Sequence, residues 1–343
     1  MKSDRLANQR PGTMEPTLLE VRLHGKTLRA PSVCIDGRTV VVTGKWIRTA
    51  AVMDEELVEG EYVGDPDAFV MALKQTRLEA DIFTFAQRPP SVTPKYPYPF
   101  EWDNWAVIPI TSYDDWWEKR LPQEARKNVR RAFKRGIVVK VVTFDDDLVR
   151  GIQEIYNETP VRQRTRFWHF GKDFATVKRE NATYPERSEF IGAYVDMELV
   201  GFIKIIYAGP FAMLIQIIGK MAHHDKRPMN AMLAKAVEVC ENRKASYLVY
   251  GKYVYDGQEG SPLTEFKRRN GFEEVKFPRY SVPLTTKGKL AIKLGLHLGL
   301  KNLIPPPVVR LGINLRSRYY QVWHPAGPVA NRTVDTVGSE RQP

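Results

Sequence analysis

Between positions 160 and 187, arginines alternate with aromatic residues, and these side chains are well suited to binding chemistry. Forked guanidinium groups beside flat rings favour a nucleotide or another anionic substrate, because arginine pairs with such anions in two places and stacks on rings. The candidate substrate-binding residues are Arg162, Arg164, Trp168 and His169. The alternative is that the rings fill a core while the arginine head groups stay in water.

A second candidate site is the turn that leads into an apolar helix starting at Pro228. Free N–H groups at the start of a helix attract phosphate, and nearby cations add to that attraction. The candidate cofactor-binding residues are Lys226, Arg227, Met229 and Asn230. The adjacent His223 and His224 are a poor metal site, because their side chains point apart and no third ligand is suitably spaced. We therefore expect no metal.

The best-specified elements follow this turn. Apolar residues at three- and four-residue spacing predict a helix over 228–243, and the run 246–253 predicts a strand. Ser261 is a suitable N-cap for another helix, which Asn270 and the glycine after it would end. Two prolines in the last strand, 274–284, favour the edge of a sheet.

This order of elements resembles the second half of a GNAT-type acyltransferase domain. The run Leu263…Phe266-Lys267…Asn270-Gly271-Phe272 resembles a signature of the Fem-family aminoacyl transferases. The resemblance covers about 121–285 well and 18–120 loosely. It implies an α+β fold with a mixed, largely antiparallel GNAT-like sheet flanked by helices, together with a smaller N-terminal α/β lobe that could be a degenerate second GNAT lobe.

The resemblance also implies an activity. An acyl or aminoacyl group would move from acyl-CoA or aminoacyl-tRNA to an amine on a small molecule or a cell-envelope precursor. Lys267 would be catalytic, and Tyr253 and Tyr255 would be acids or orienting hydroxyls. GNAT acetyltransferases present a glycine-rich turn to the pyrophosphate of acyl-CoA. The corresponding turn, 221–228, lacks glycine, which favours tRNA as the donor.

The rest of the chain predicts the domain plan. We expect 1–17 to be disordered, 18–120 to form the N-terminal lobe, 121–286 the acyltransferase domain, 287–323 a basic apolar tail, and 324–343 a second disordered end. In the first lobe, six prolines between Pro89 and Pro109 predict an ordered loop. Alternating leucines from Leu290 to Leu300 predict a strand in the tail.

Positive charge dominates the chain, with a formal net charge of +12, and no acidic residue occurs from 275 to 334. The stretch 122–135 predicts a helix with Val129, Ala132 and Phe133 on one face and cations on the other. This basic face is a candidate phosphate contact, with a merely solvated surface as the alternative. The tail could lie on an anionic membrane or pack across the lobes.

The chain lacks an apolar signal core, and no run of apolar residues approaches 18. We therefore expect a cytoplasmic protein without a membrane span, with peripheral contact at the inner face of the membrane as an option. Two further functions remain open. One is a long-chain N-acyl amino acid synthase. The other is a catalytically idle GNAT-like module that binds nucleic acid or anionic membrane.

Overall fold

The computed structural model describes residues 15–23, 26–162, 165–255 and 260–298. The strands are β1 Thr17–Leu23, β2 Lys26–Ile35, β3 Arg38–Thr43, β4 Thr49–Val52, β5 Ile82–Ala86, β6 Phe100–Pro109, β7 Val138–Val142, β8 Val161–Arg162, β9 Thr165–Arg166, β10 Ser188–Val195, β11 Glu198–Ala208, β12 Phe211–Gly219, β13 Tyr247–Val249 and β14 Glu273–Pro283. The helices are α1 Pro66–Gln75, α2 Tyr113–Asp115, α3 Gln123–Lys134, α4 Asp146–Asn157, α5 Phe174–Asn181, α6 Pro228–Asn242, α7 Pro262–Arg269 and α8 Thr286–Lys293.

Several predictions concern residues outside these ranges. They are the disorder of residues 1–14 and 324–343, the substrate-binding role of Arg164, and the tail beyond residue 298.

Twelve of the described strands form one continuous sheet in the order β1-β2-β3-β4-β5-β14-β6-β13-β12-β11-β10-β7. Neighbouring strands are antiparallel except for the pairs β4–β5 and β12–β13, which are parallel. This confirms the predicted α+β class with a mixed, largely antiparallel sheet flanked by helices. The division into two lobes stays a prediction, because the sheet runs through both.

Strand β14 lies in the middle of the sheet, between β5 and β6, so the predicted edge position is wrong. Its pairing with β5 ends at Arg279 opposite Ala86. The carbonyl of Pro278 accepts a hydrogen bond from Gln87 N at 2.8 Å, beyond the end of β5. The N–H that Pro278 lacks would point to the same side, where the β5 ladder has already ended. A proline is therefore tolerated in a central strand here.

The proline-rich passage is a loop only as far as Pro99, because the next ten residues form the central strand β6. Five of its six prolines precede Phe100, and Pro109 is the last residue of the strand. The prediction that most of the passage is an ordered loop therefore holds as far as Pro99 and is wrong for the strand that follows. Strand β6 lies between β14 and β13, and its residue Trp105 is buried. The aromatic residues of the passage therefore indicate a strand.

Helices cover both faces of the sheet. Because side chains alternate along a strand, Ile191 and Ala193 of β10 pack under α3 and α6, whereas Phe190 packs under α4 and α5. Helix α1 covers the first part of the sheet with Phe69 and Leu73. The two faces are named below by the helices that cover them: the α3/α6 face and the α4/α5 face.

The described part of the tail is helical, so the predicted strand from Leu290 is wrong. Thr285 caps α8 by accepting a hydrogen bond from Gly288 N at 3.0 Å. A Cβ at Gly288 would lie 1.9 Å from the carbonyl oxygen of Asp81, so only glycine allows this close packing. Gly295, with φ of +68°, follows the end of the helix. Local capping therefore outweighs the alternating pattern.

Candidate active site

A gap opens in the sheet where β12 and β13 separate. The two strands pair in parallel from Phe211 opposite Tyr247 to Met213 opposite Val249, and the pairing then stops. Strand β12 continues to Gly219, whereas the other chain turns toward β6, with Tyr250 N donating to Ala106 O at 2.8 Å. The second half of β12 thus borders a wedge, called here the β12–β13 gap.

Lys267 lies beside this gap on α7. The predicted caps are present: Ser261 accepts a hydrogen bond from Thr264 N, and Gly271 follows the helix with φ of +79°. The Lys267 side chain is fully buried. Its Nζ donates to the carbonyl of Lys252 at 2.5 Å and lies 4.5 Å and 4.9 Å from the ring centroids of Tyr250 and Tyr255. Burial lowers the pKa of Lys267 to about 8.

Tyr255 covers the outer side of this lysine and is 42% exposed. Its hydroxyl lies over Gly251, whose φ of +54° favours glycine, and a Cβ at that position would lie 2.7 Å from the hydroxyl. The pKa of Tyr255 is raised by burial, with smaller contributions from Asp103 and Glu56. Tyr253 contacts α7 through its main-chain carbonyl, which accepts from the Thr264 hydroxyl at 3.2 Å.

Tyr250 also contacts Lys267 and was not among the residues predicted from the sequence. Its ring lies against Lys267, 4.5 Å from Nζ, and burial raises the pKa of its hydroxyl. It belongs to the same aromatic run as Tyr253 and Tyr255, so the run itself was the available signal.

A chain of charged groups starts at Lys252 and continues on the α4/α5 face. Lys252 Nζ lies 2.8 Å from Asp103 Oδ1, and Arg279 Nε donates to Asp103 Oδ2 at 2.9 Å. Arg279 also donates to Glu55 Oε2 at 2.8 Å, and Glu55 Oε1 accepts from Ala86 N at 2.7 Å. Burial acts to raise the pKa of Asp103, but Arg279 and Lys252 outweigh it and lower the pKa.

The carboxylate of Glu158 occupies the turn after β12. Its oxygens accept from Met221 N at 2.6 Å and from Ala222 N at 2.9 Å. Arg162 holds this carboxylate at 3.2 Å and also donates to the carbonyls of Ile155, at 2.7 Å, and Gly219, at 2.8 Å. Burial lowers the pKa of Arg162, and Glu158 opposes that shift. The structure thus places Arg162 as a brace for the turn.

The predicted cofactor residues surround the start of α6. Lys226 and Arg227 are partly exposed, and Arg227 has φ of 61° immediately before Pro228. Met229 packs on the core of the α3/α6 face. Asn230 Nδ2 donates to Asn270 Oδ1 at 2.8 Å, and this bond fixes the start of α6 to the end of the helix that carries Lys267.

The predicted aromatic residues lie on the α4/α5 face. His169 is 5% exposed, and its ring centroid lies 4.2 Å from that of Tyr156. The Tyr156 hydroxyl is 3.0 Å from Gln216 Oε1 in the second half of β12. Trp168 is 55% exposed. The segment is therefore attached to the strand that borders the gap. Within the described residues, no group of three or more His, Cys, Asp or Glu could hold a metal ion.

Solved structures share this architecture at low sequence identity. FemX aligns with a TM-score of 0.53 at 13% identity, covering 81% of this chain and 90% of its own. The C-terminal domain of a putative lysylphosphatidylglycerol synthetase from Agrobacterium fabrum aligns at 0.52 and 14%, covering 78% and 88%. The structure of L-PGS from Bacillus licheniformis aligns at 0.51 and 13%, covering 78% and 87%. The chain shares its fold with these three structures.

Identities of 13–14% establish the GNAT/Fem-like fold alone. No family model matches the chain, and no curated protein matches it significantly. None of the described helices is both long and apolar enough to cross a membrane. Within this fold, the structure brings Lys267 together with Tyr255, and it fastens the start of α6 to α7. The site roles of these residues remain predictions.

Proposed function

We propose that this protein is an aminoacyl transferase that moves an aminoacyl group from aminoacyl-tRNA to an amine acceptor. The observation that supports this donor is the contact of Glu158 with Met221 N and Ala222 N. Acyl-CoA-dependent enzymes of this fold place a pyrophosphate against the N–H groups of that turn. Here a carboxylate already accepts those hydrogen bonds, and its charge would repel a pyrophosphate.

The reaction would take place in the β12–β13 gap. The amine nitrogen attacks the ester carbonyl carbon, so that a C–N bond forms and the C–O bond to the ribose breaks. The amine loses a proton and the ribose oxygen gains one. With a pKa of about 8, Lys267 is mainly an ammonium at neutral pH, and its buried charge would stabilise the oxyanion strongly. Tyr255 would orient the amine or pass on its proton.

The acceptor would enter from the α4/α5 face. Trp168 and Tyr255 are exposed there, and Lys252 and Arg279 offer partly exposed cations. The names of the similar structures, FemX and lysylphosphatidylglycerol synthetase, suggest a cell-envelope precursor or a lipid product. The acceptor panel therefore contains small amines and lysine-containing peptides, and vesicles that contain phosphatidylglycerol test the alternative of a hydroxyl acceptor.

The experiment compares three donors with the full-length protein: bulk aminoacyl-tRNA, acetyl-CoA and a long-chain acyl-CoA. We expect loss of the ester from aminoacyl-tRNA to exceed the spontaneous rate when an acceptor is present, and thermal stabilisation by aminoacyl-tRNA alone. Release of free thiol from either CoA ester, without reaction of tRNA, would contradict the proposal. Absence of turnover and stabilisation with all three donors would favour a non-catalytic binding module.

A further inference from the structure

The exposed side of α3 carries a stripe of cations that the proposed reaction does not use. Its four members are exposed on a helix of twelve residues and are Lys127, Arg130, Arg131 and Lys134. Residues at three- and four-residue spacing share one side of a helix, and seven residues span about 10 Å of its axis. We infer that this stripe, called here the α3 stripe, is the docking surface for the tRNA backbone, an inference that rests on the proposed function.

The cations of the α3 stripe form no ion pair with any described residue. Their neighbours differ, because Arg126 pairs with Glu118 at 2.9 Å and Arg135 with Asp225 at 3.1 Å. Like charges at this spacing repel one another by a few tenths of a kcal/mol per pair. A row of phosphates would turn that repulsion into attraction and release condensed counterions.

A membrane surface fits α3 less well than RNA does. An interfacial helix must bury an apolar side in lipid, but Ala125, Val129 and Ala132 of α3 are buried against the core of this protein. Phe133, predicted to share their face, is instead 51% exposed among the cations. One ring amid four cations suits stacking on an unpaired base next to phosphate contacts.

The α3 stripe also ends beside the proposed donor site. Arg135, the residue after α3, donates to the main-chain oxygen of Asp225 at 2.7 Å. Asp225 belongs to the turn between β12 and α6, where Glu158 holds the first amide groups. An RNA lying along α3 would therefore pass this turn on its way to the β12–β13 gap.

The test removes four positive charges in each of two places. The docking variant is K127Q/R130Q/R131Q/K134Q. The control variant, R29Q/K45Q/K74Q/R77Q, removes four exposed cations from the first third of the chain. Circular dichroism checks that both are folded. Binding of deacylated tRNA is measured between about 50 and 200 mM salt, a range over which phosphate contacts lose affinity steeply.

We expect the docking variant to bind tRNA at least about tenfold more weakly and to lower the slope of log affinity against log salt by about 3. The control variant should stay within about twofold of wild type, since nonspecific charge alone contributes only long-range attraction. Equal affinity of the docking variant and wild type would overturn the inference. Loss of binding to anionic vesicles with unchanged tRNA binding would overturn it in favour of a membrane surface.

A short donor separates this inference from the proposed function. An aminoacyl ester of the terminal dinucleotide cannot reach the α3 stripe and the gap together, so the docking variant should use it as well as wild type does. If wild type transfers the aminoacyl group but the docking variant binds tRNA as tightly as wild type, the docking surface is wrong and the proposed function stands. Failure of wild type to transfer from either donor would sink the proposed function.

Discussion

Two buried lysines of this protein meet different surroundings. Lys204 is 1% exposed, and its Nζ donates to three oxygens: the carbonyls of Asn181 and Thr183 and the hydroxyl of Thr183. Lys267 is equally buried but has one such acceptor among the described residues, with two aromatic rings beside it. Burial lowers the pKa of both to about 8. Lys204 is thus used by the fold, whereas the proposed role of Lys267 requires that one of its other N–H groups reach a substrate oxygen.

The lowered pKa of Lys267 predicts how stability depends on pH. Between pH 8 and about 10 the unfolded chain binds more protons at this residue than the folded chain, so wild type gains stability as pH rises. The variant Lys267→Met lacks this contribution. The stability of wild type relative to K267M should rise by about 2 kcal/mol over that window. Urea unfolding at each pH measures the difference, and parallel curves would contradict the assigned burial.

The hydroxyl of Tyr255 predicts a separate kinetic effect. Tyr255→Phe keeps the ring beside Lys267 but removes the group that could orient the amine, so we expect kcat to fall about tenfold or more. Tyr253→Phe should have a smaller effect, because Tyr253 contacts α7 through its main chain. Tyr98→Phe, in the loop before β6, is the matched control. Unchanged kcat in Y255F would remove that hydroxyl from the mechanism.

At the scale of elements, Glu158 joins α4 to the turn before α6. Glu158→Gln replaces a charged acceptor of two amides and of Arg162, and we expect a loss of about 1–2 kcal/mol in the free energy of unfolding. The control is Glu154→Gln on α4, because Glu154 forms an exposed ion pair with Lys220. This substitution should lower the free energy of unfolding by less than about 0.5 kcal/mol. Equal effects of the two substitutions would contradict the brace.

The sequence predicts those elements whose signals are local. Pro228, Ser261 and Gly271 mark the ends of α6 and α7 correctly, because caps depend on a few adjacent residues. The sequence does not predict long-range partners. Glu158 contacts Ala222, which is 64 residues away along the chain, and Arg279 contacts Asp103, which is 176 residues away. Such contacts depend on the order of the strands, and a proline in β14 points to the wrong position in that order.

At the scale of the whole molecule, β14 joins the first and last parts of the sheet. Arg279 lies on this strand between Asp103 and Glu55, whose side chains are 8% and 11% exposed. Arg279→Met would leave Glu55 without its cation and Asp103 with Lys252 alone, and we expect a loss of at least about 2 kcal/mol at pH 7. The pKa of Asp103 is lowered below its usual value in the folded protein, so this loss should persist to about pH 4 and shrink as the pH falls further, through that lowered pKa.

Urea unfolding of wild type and R279M at about pH 7 and pH 3 measures that loss. The matched control is Arg243→Met, because Arg243 pairs with Glu189 and its side chain is 61% exposed. We expect both proteins to unfold in one transition, since β14 pairs with strands from each predicted lobe. Two separate transitions would contradict this coupling.

The central claim is that Lys267 acts on an aminoacyl ester in the β12–β13 gap. The most direct measurement is the rate of transfer from aminoacyl-tRNA to the acceptor by wild type, K267M and K204M, with folding checked for each. We expect K267M to be at least about a hundredfold slower, which is the usual cost of losing one oxyanion donor. K204M should retain transfer in proportion to its folded fraction. Equal rates for wild type and K267M would contradict the claim.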